Sequence, residues 1–170
     1  MSILNSTKMP LNVSYKLAQA SALIIAIILF ILSYIFGRDG LFLWFNTNLG
    51  AFADTFFSYF TYLAEGWILI PYLILVVGIF KKDVLFIIIN SIISTLLTQI
   101  PKQLIWPHAN RPLASGIDLS KIHTVAGVEV HSFNSFPSGH TATAFTLFLV
   151  TIYIFPNKKV LLVGFMYALI

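Results

Sequence analysis

The sequence predicts an all-α fold, a polytopic membrane helical bundle with four full transmembrane helices and an incomplete fifth. Three observations predict it. Only 9% of the 170 residues are charged, against about 25% in a soluble domain. Hydrophobic residues make up 58% and the mean hydropathy is +0.90. Apolar runs of helix length recur along the chain, and basic residues collect in the turns between them. Cysteine is absent, so the chain has neither a disulfide framework nor a thiolate metal site. The net charge of +4 is scattered over segment ends and forms no stripe, which argues for membrane topology and against nucleic acid. With no internal repeat or low-complexity linker, residues 1–170 read as a single domain.

Residues 17–36 form the first run, 20 residues without a charge, enough to cross a hydrocarbon core of ~30 Å. The run is too long for a signal peptide and reads as a retained anchor ending at Gly37-Arg38-Asp39-Gly40. In residues 41–52, Leu41, Phe45, Leu49 and Phe52 recur at helical spacing. That stretch predicts either a short helix in the outer interface or a plain aromatic belt. Residues 56–80 predict a second span, interrupted by Glu65, Gly66 and Pro71. Counting back from residue 80 puts Glu65 about one turn inside the hydrocarbon. A carboxylate there requires a partner, functional or structural.

Lys81-Lys82-Asp83 makes a tight turn, and residues 84–100 are the third span, closed by Pro101 with Lys102 at the boundary. The polar loop 103–136 carries His108, Asp118, Lys121, His123, Glu129 and His131; its valine-rich part, 124–133, predicts a short hairpin. Residues 138–155 form the fourth span. After Pro156-Asn157-Lys158-Lys159, an apolar run of 11 residues, 160–170, closes the sequence. As a helix it reaches about 16 Å, roughly half a bilayer, so the expectation is a piece of a longer protein. Lys8, Lys16, Lys81, Lys82, Lys158 and Lys159 fall on one side of the bundle; Arg38, Lys102, Arg111 and Lys121 fall on the other. The positive-inside rule assigns the first set and the amino terminus to the cytoplasm. The lack of cysteine fits a bacterial plasma membrane, with Lys102, Arg111 and His140 on the periplasmic or extracellular face.

Chemistry concentrates where the loop meets the fourth span, in Phe136-Pro137-Ser138-Gly139-His140-Thr141. Ser138 reads as a helix N-cap, with Gly139 and His140 in the first turn. The first amides of a helix lack intrahelical partners and carry the positive end of its dipole, so they suit a phosphate. Glycine lets an anion approach the backbone closely. Histidine, whose ordinary titration lies near ~6.5, is suited to protonating a leaving oxygen. Taken alone, the segment reads more readily as a capped helix whose His faces headgroups. Lys102, a point charge, and Arg111, a planar fork stiffened by Pro112, fall on the same face and complete a phosphate-binding set.

That set resembles the type 2 phosphatidic acid phosphatase superfamily, which also includes vanadium haloperoxidases. The family's second motif, Pro-Ser-Gly-His, matches at Pro137 to His140. Its first, Lys, six residues, then Arg-Pro, matches as Lys102 and Arg111-Pro112 with eight residues between them. Its third, Ser-Arg, five residues, then His and a nearby Asp, does not occur in the sequence. The order of membrane helices agrees over most of 17–170. The resemblance implies a membrane lipid phosphatase acting through a phospho-histidine intermediate, its nucleophile belonging to the absent third motif. It further implies that Lys102, Arg111, Ser138 and Gly139 bind the phosphate while His140 protonates the leaving lipid alcohol. Metal and cofactor are not called for. The implied substrate is a lipid phosphomonoester or a polyprenyl or lipid diphosphate, and residues 1–170 alone are expected to be inactive. The other reading is a non-catalytic membrane protein that keeps the fold to bind lipid headgroups or a partner.

Overall fold

Pro10, with φ −56° and ψ 136°, holds the chain extended, and helix α1 (Leu11–Phe45) begins directly after it. The computed structural model describes residues 8–80, 84–125, 127–128 and 131–170. Within them the regular structure is helical: α1, α2 (Ala51–Phe60), α3 (Leu69–Phe80), α4 (Val84–Ile100), α5 (Gly139–Ile154) and α6 (Lys158–Leu169), with short 3-10 and π turns between. The expected turn at 81–83 lies outside the described residues.

The first run ends where expected. Gly37 takes φ 70° and ψ 162°, a non-helical position that glycine adopts cheaply, and it divides α1 into two helical arms, the second reaching Phe45. The predicted interfacial helix at 41–52 is therefore divided: Leu41 to Phe45 prolong α1, Asn46 to Gly50 are irregular, and Ala51 opens α2.

The second predicted span is a broken one. Two 3-10 turns, Thr61–Ala64 and Gly66–Ile68, separate α2 from α3. Glu65 between them is extended, with φ −73° and ψ 148°, and the two arms meet at a bend of 57°. Pro71 falls in the first turn of α3, where a missing amide proton costs little. By length and composition, α1 and α4 with its extension to Ile105 can each cross a membrane, and the bent pair makes a third span if counted as one. α5 has 16 residues and α6 has 12, reaching about 24 and 18 Å. Four full spans were expected; two or three have that length among the described residues.

α5 is the centre of the bundle. It packs against α1, α4, α6 and the first 3-10 turn, and buries Thr143, Ala144, Leu147, Phe148, Val150 and Ile152. Ala18 of α1, Ala144, Phe148 and Ile152 of α5 and Ala168 of α6 form one core cluster; Val76, Ile87 and Val150 form a second. The alanines of the first cluster let α1, α5 and α6 approach closely around Phe148; lipid offers no hydrophobic force between helices, so van der Waals contact must hold them. Hydroxyl pairs add specificity: Tyr72 Oη with Thr151 Oγ1 at 2.9 Å, and Thr146 Oγ1 donating to Ser94 Oγ at 2.8 Å. Each contributes about 0.6 kcal/mol in a bilayer. Outward side chains such as Leu23, Phe30, Leu97 and Leu162 are exposed, an apolar surface suited to lipid.

The amino terminus is tied to the turn between α5 and α6, where the Met9 amide donates to the Pro156 carbonyl at 3.0 Å and Lys8 pairs with Asn157. Lys8, Lys158 and Lys159 thus share one end of the bundle. At the other end the polar loop is clamped to the start of α2. His123 Nε2 meets Asp54 Oδ1 at 2.9 Å, and Asn46 bonds both the amide and the carbonyl of His123, at 2.7 and 3.0 Å. The predicted hairpin at 124–133 does not form among the described residues; Ala126, Glu129 and Val130 lie outside them.

Packing around Phe148 generates a test. A Cβ built on Gly164 would stand 2.8 Å from Phe148 Cδ2, whereas one on Gly78 meets nothing within 4 Å. Gly164→Ala is expected to destabilise the protein by about 1–3 kcal/mol, and Gly78→Ala to be neutral or mildly stabilising. Thermal unfolding in detergent checks both; equal melting temperatures for the two variants would contradict this packing.

Candidate functional site

Both chain segments that carry the predicted site residues leave regular geometry where they reach the open end of the bundle. Beyond Ile100 the third span does not stop at Pro101, as expected, but widens into a π turn, Pro101–Ile105, closed by the Trp106 amide on the Pro101 carbonyl at 2.8 Å. A second turn follows, with the Ala109 amide donating to Trp106 at 3.2 Å. These two turns take up the long spacing between Lys102 and Arg111. A π turn costs hydrogen-bond quality and is found mostly at functional positions.

Arg111 is anchored by the loop that precedes α5. Its amide donates to the Ser132 carbonyl at 2.8 Å and its Nε to the Phe133 carbonyl at 2.9 Å. The Nη edge is what remains to grip an anion. The backbone then passes through Asn134 at φ 59°, a left-handed position that asparagine tolerates better than most residues. The Ser135 amide donates to Ala109 at 3.0 Å, and the Phe136 ring packs edge-on against Trp106 at 4.9 Å. The loops carrying the two motifs are thus stitched together before α5 begins.

Ser138 caps α5. Its Oγ accepts from the Thr141 amide at 3.3 Å and from Thr141 Oγ1 at 3.1 Å, which leaves its own hydroxyl proton to donate. Gly139 and His140 occupy the first turn. A Cβ on Gly139 would meet nothing within 4 Å, so the protein itself does not require glycine there. The requirement, if any, comes from an occupant that approaches the backbone.

All five predicted residues, Lys102, Arg111, Ser138, Gly139 and His140, line one cavity of about 800 Å³. Lys102 and Arg111 are partly buried, and their charges are near enough to interact. Two like charges held together in a half-buried cleft favour an anion between them. His140 is exposed and also borders a smaller recess of about 260 Å³ lined by Phe57, Phe60 and Tyr167. The imidazole therefore stands between a polar cavity and an aromatic one.

The cavity also contains residues that the sequence reading did not assign to it. Glu65, Gly66 and Trp67 contribute from the break between α2 and α3, and the Trp67 indole donates to Glu65 Oε2 at 2.9 Å. Thr98 and Gln99 face it from α4, and His131 and Asn134 from the loop. A polar Glu-Gly interruption in an apolar run was the available signal for the first group; nothing in the sequence marked the others. The loop histidines divide. His131 lines the cavity and His123 does not, although His123 has a carboxylate partner in Asp54.

The family model described as the PAP2 superfamily matches residues 83–170, half of the chain, including both motif positions. The chain belongs to the PAP2 superfamily. Phosphatases are members of this superfamily, which supports a hydrolase family for this PAP2 chain. The match begins at residue 83, so the resemblance inferred for the preceding helices extends beyond what the family model covers. Neither the curated proteins nor the solved structures contain a match.

The open space at Gly139 makes a prediction. Gly139→Ala should leave the thermal unfolding of this PAP2 chain unchanged and weaken binding of inorganic phosphate about 10-fold or more, because the added methyl holds the anion off the backbone amides of the first turn. Titration calorimetry reads the affinity; unchanged binding would remove the helix start from the site.

Proposed function

We propose that this protein is a membrane phosphatase for lipid phosphates, working through a phospho-histidine intermediate. The observation that carries the reading is the convergence of Lys102, Arg111 and the amino-terminal turn of α5 on one cavity, in a chain of the PAP2 superfamily. Lys102 and the Nη edge of Arg111 hold the non-bridging oxygens, and the Ser138 hydroxyl and Gly139 amide complete the cradle. His140 donates its proton to the leaving alcohol oxygen. Phosphoryl transfer needs mainly positioning and charge stabilisation, which is what these groups supply. The aromatic recess on the other side of His140 suits the first atoms of a lipid tail. In this reading the amino terminus and Lys158 face the cytoplasm of a bacterial cell and the cavity opens on the far side.

The Ser-Arg segment that would bring the nucleophile does not occur in residues 1–170. These residues alone therefore bind phosphate without turning it over. Purified 1–170 is expected to release no phosphate from a short-chain phosphatidate and to accumulate no acid-labile phosphoprotein. Release that disappears in His131→Ala would instead make the cavity-lining His131 the nucleophile. Release that survives His131→Ala would overturn the assignment of roles, as would undiminished turnover by His140→Ala in a protein that carries the Ser-Arg segment. Orientation is checked in this cysteine-free chain with Lys158→Cys, which should react with an impermeant maleimide only after the cells are opened.

A further inference from the structure

We propose that Glu65 sets the substrate class of this cavity, admitting a phosphomonoester and disfavouring a diphosphate. The inference rests on the phosphate-cradle reading above and adds what that reading leaves open. A cavity of about 800 Å³ has room for more than one phosphate group, so size alone does not select between the two. Charge can. Glu65 is the one acidic side chain among the described residues that line the cavity. The carboxylate does not spend its charge on the cations: among the described residues the ion pairs are Arg38 with Asp39 and His123 with Asp54, and neither Lys102 nor Arg111 pairs with Glu65. What holds it is the Trp67 indole at 2.9 Å, a neutral donor that fixes its direction and leaves its charge intact.

The backbone supports this placement. Glu65 is the extended residue at the bend of 57° between the helix arms, where non-helical backbone at membrane depth is tolerated because it lines a cavity. One phosphate in the cradle meets two cations. A second phosphate attached to it enters the same cavity that Glu65 lines, and charges sharing one half-buried cavity are screened less than charges in open solvent. Specificity of this kind is achieved by a repulsive element built against the wrong ligand.

The test uses purified 1–170 in detergent micelles and the affinities for inorganic phosphate and inorganic diphosphate by titration calorimetry. Glu65→Gln keeps an oxygen for the Trp67 indole, and an unchanged melting temperature in detergent confirms that the fold is intact. It is expected to tighten diphosphate binding about tenfold or more while phosphate binding changes little. Glu65→Asp, which keeps the charge, retains the wild-type ratio. An unchanged ratio in Glu65→Gln, or equal tightening of both anions, would overturn the role of Glu65. Arg111→Ala separates this from the underlying reading: it should lose affinity for both anions. If it does not, or if the wild type binds neither anion, the cradle itself is wrong.

Discussion

The structure depends on α5 doing two things with one helix. Its body is the packing centre, buried against α1, α4 and α6 through Ala144, Phe148 and Ile152. Its first turn, capped by Ser138, presents Gly139 and His140 to the cavity. A helix held along its length by close van der Waals contact cannot tilt freely, so its unpaired amides keep a fixed direction. The position of any anion at that turn is therefore set by core contacts deeper in the bundle.

Around this fixed element, three departures from regular helix gather on one cavity. The π turn at Lys102, the extended Glu65 and the left-handed Asn134 each line it. Local rules of sequence and structure are broken mainly where function demands it, and the remainder of the bundle, with its regular helices and satisfied hydroxyls, supports them. The His123–Asp54 and Asn46 contacts serve the same end by tying the loop that carries Arg111 to the start of α2.

Much of this was legible in the sequence because membrane helices announce themselves by apolar length, and because a Ser cap before a helix start is a local signal. Lys102, Arg111, Ser138, Gly139 and His140 could be singled out from residue types and a resemblance to family motifs; that they line one cavity is what the structure adds. The break at Gly37 was legible, since a charged Gly-Arg-Asp-Gly stretch ordinarily ends a helix; that the arm beyond it stops at Phe45 was not. The π turn was hidden as well: Pro101 looks like a terminator, yet the hydrogen bond that closes the turn is made five residues later by Trp106. Glu65 and His131 entered the cavity through the bend between α2 and α3 and the course of the loop, both long-range outcomes that no local pattern encodes.

Side-specific labelling tests the account most directly. The chain has no cysteine, so Lys102→Cys and His140→Cys each provide a unique thiol for a membrane-impermeant reagent applied to intact, oriented vesicles. Shared access to one cavity predicts that both thiols react from the same face and that phosphate slows both reactions. Modification from opposite faces would contradict the account, because an ammonium and an imidazole separated by the bilayer cannot address the same anion.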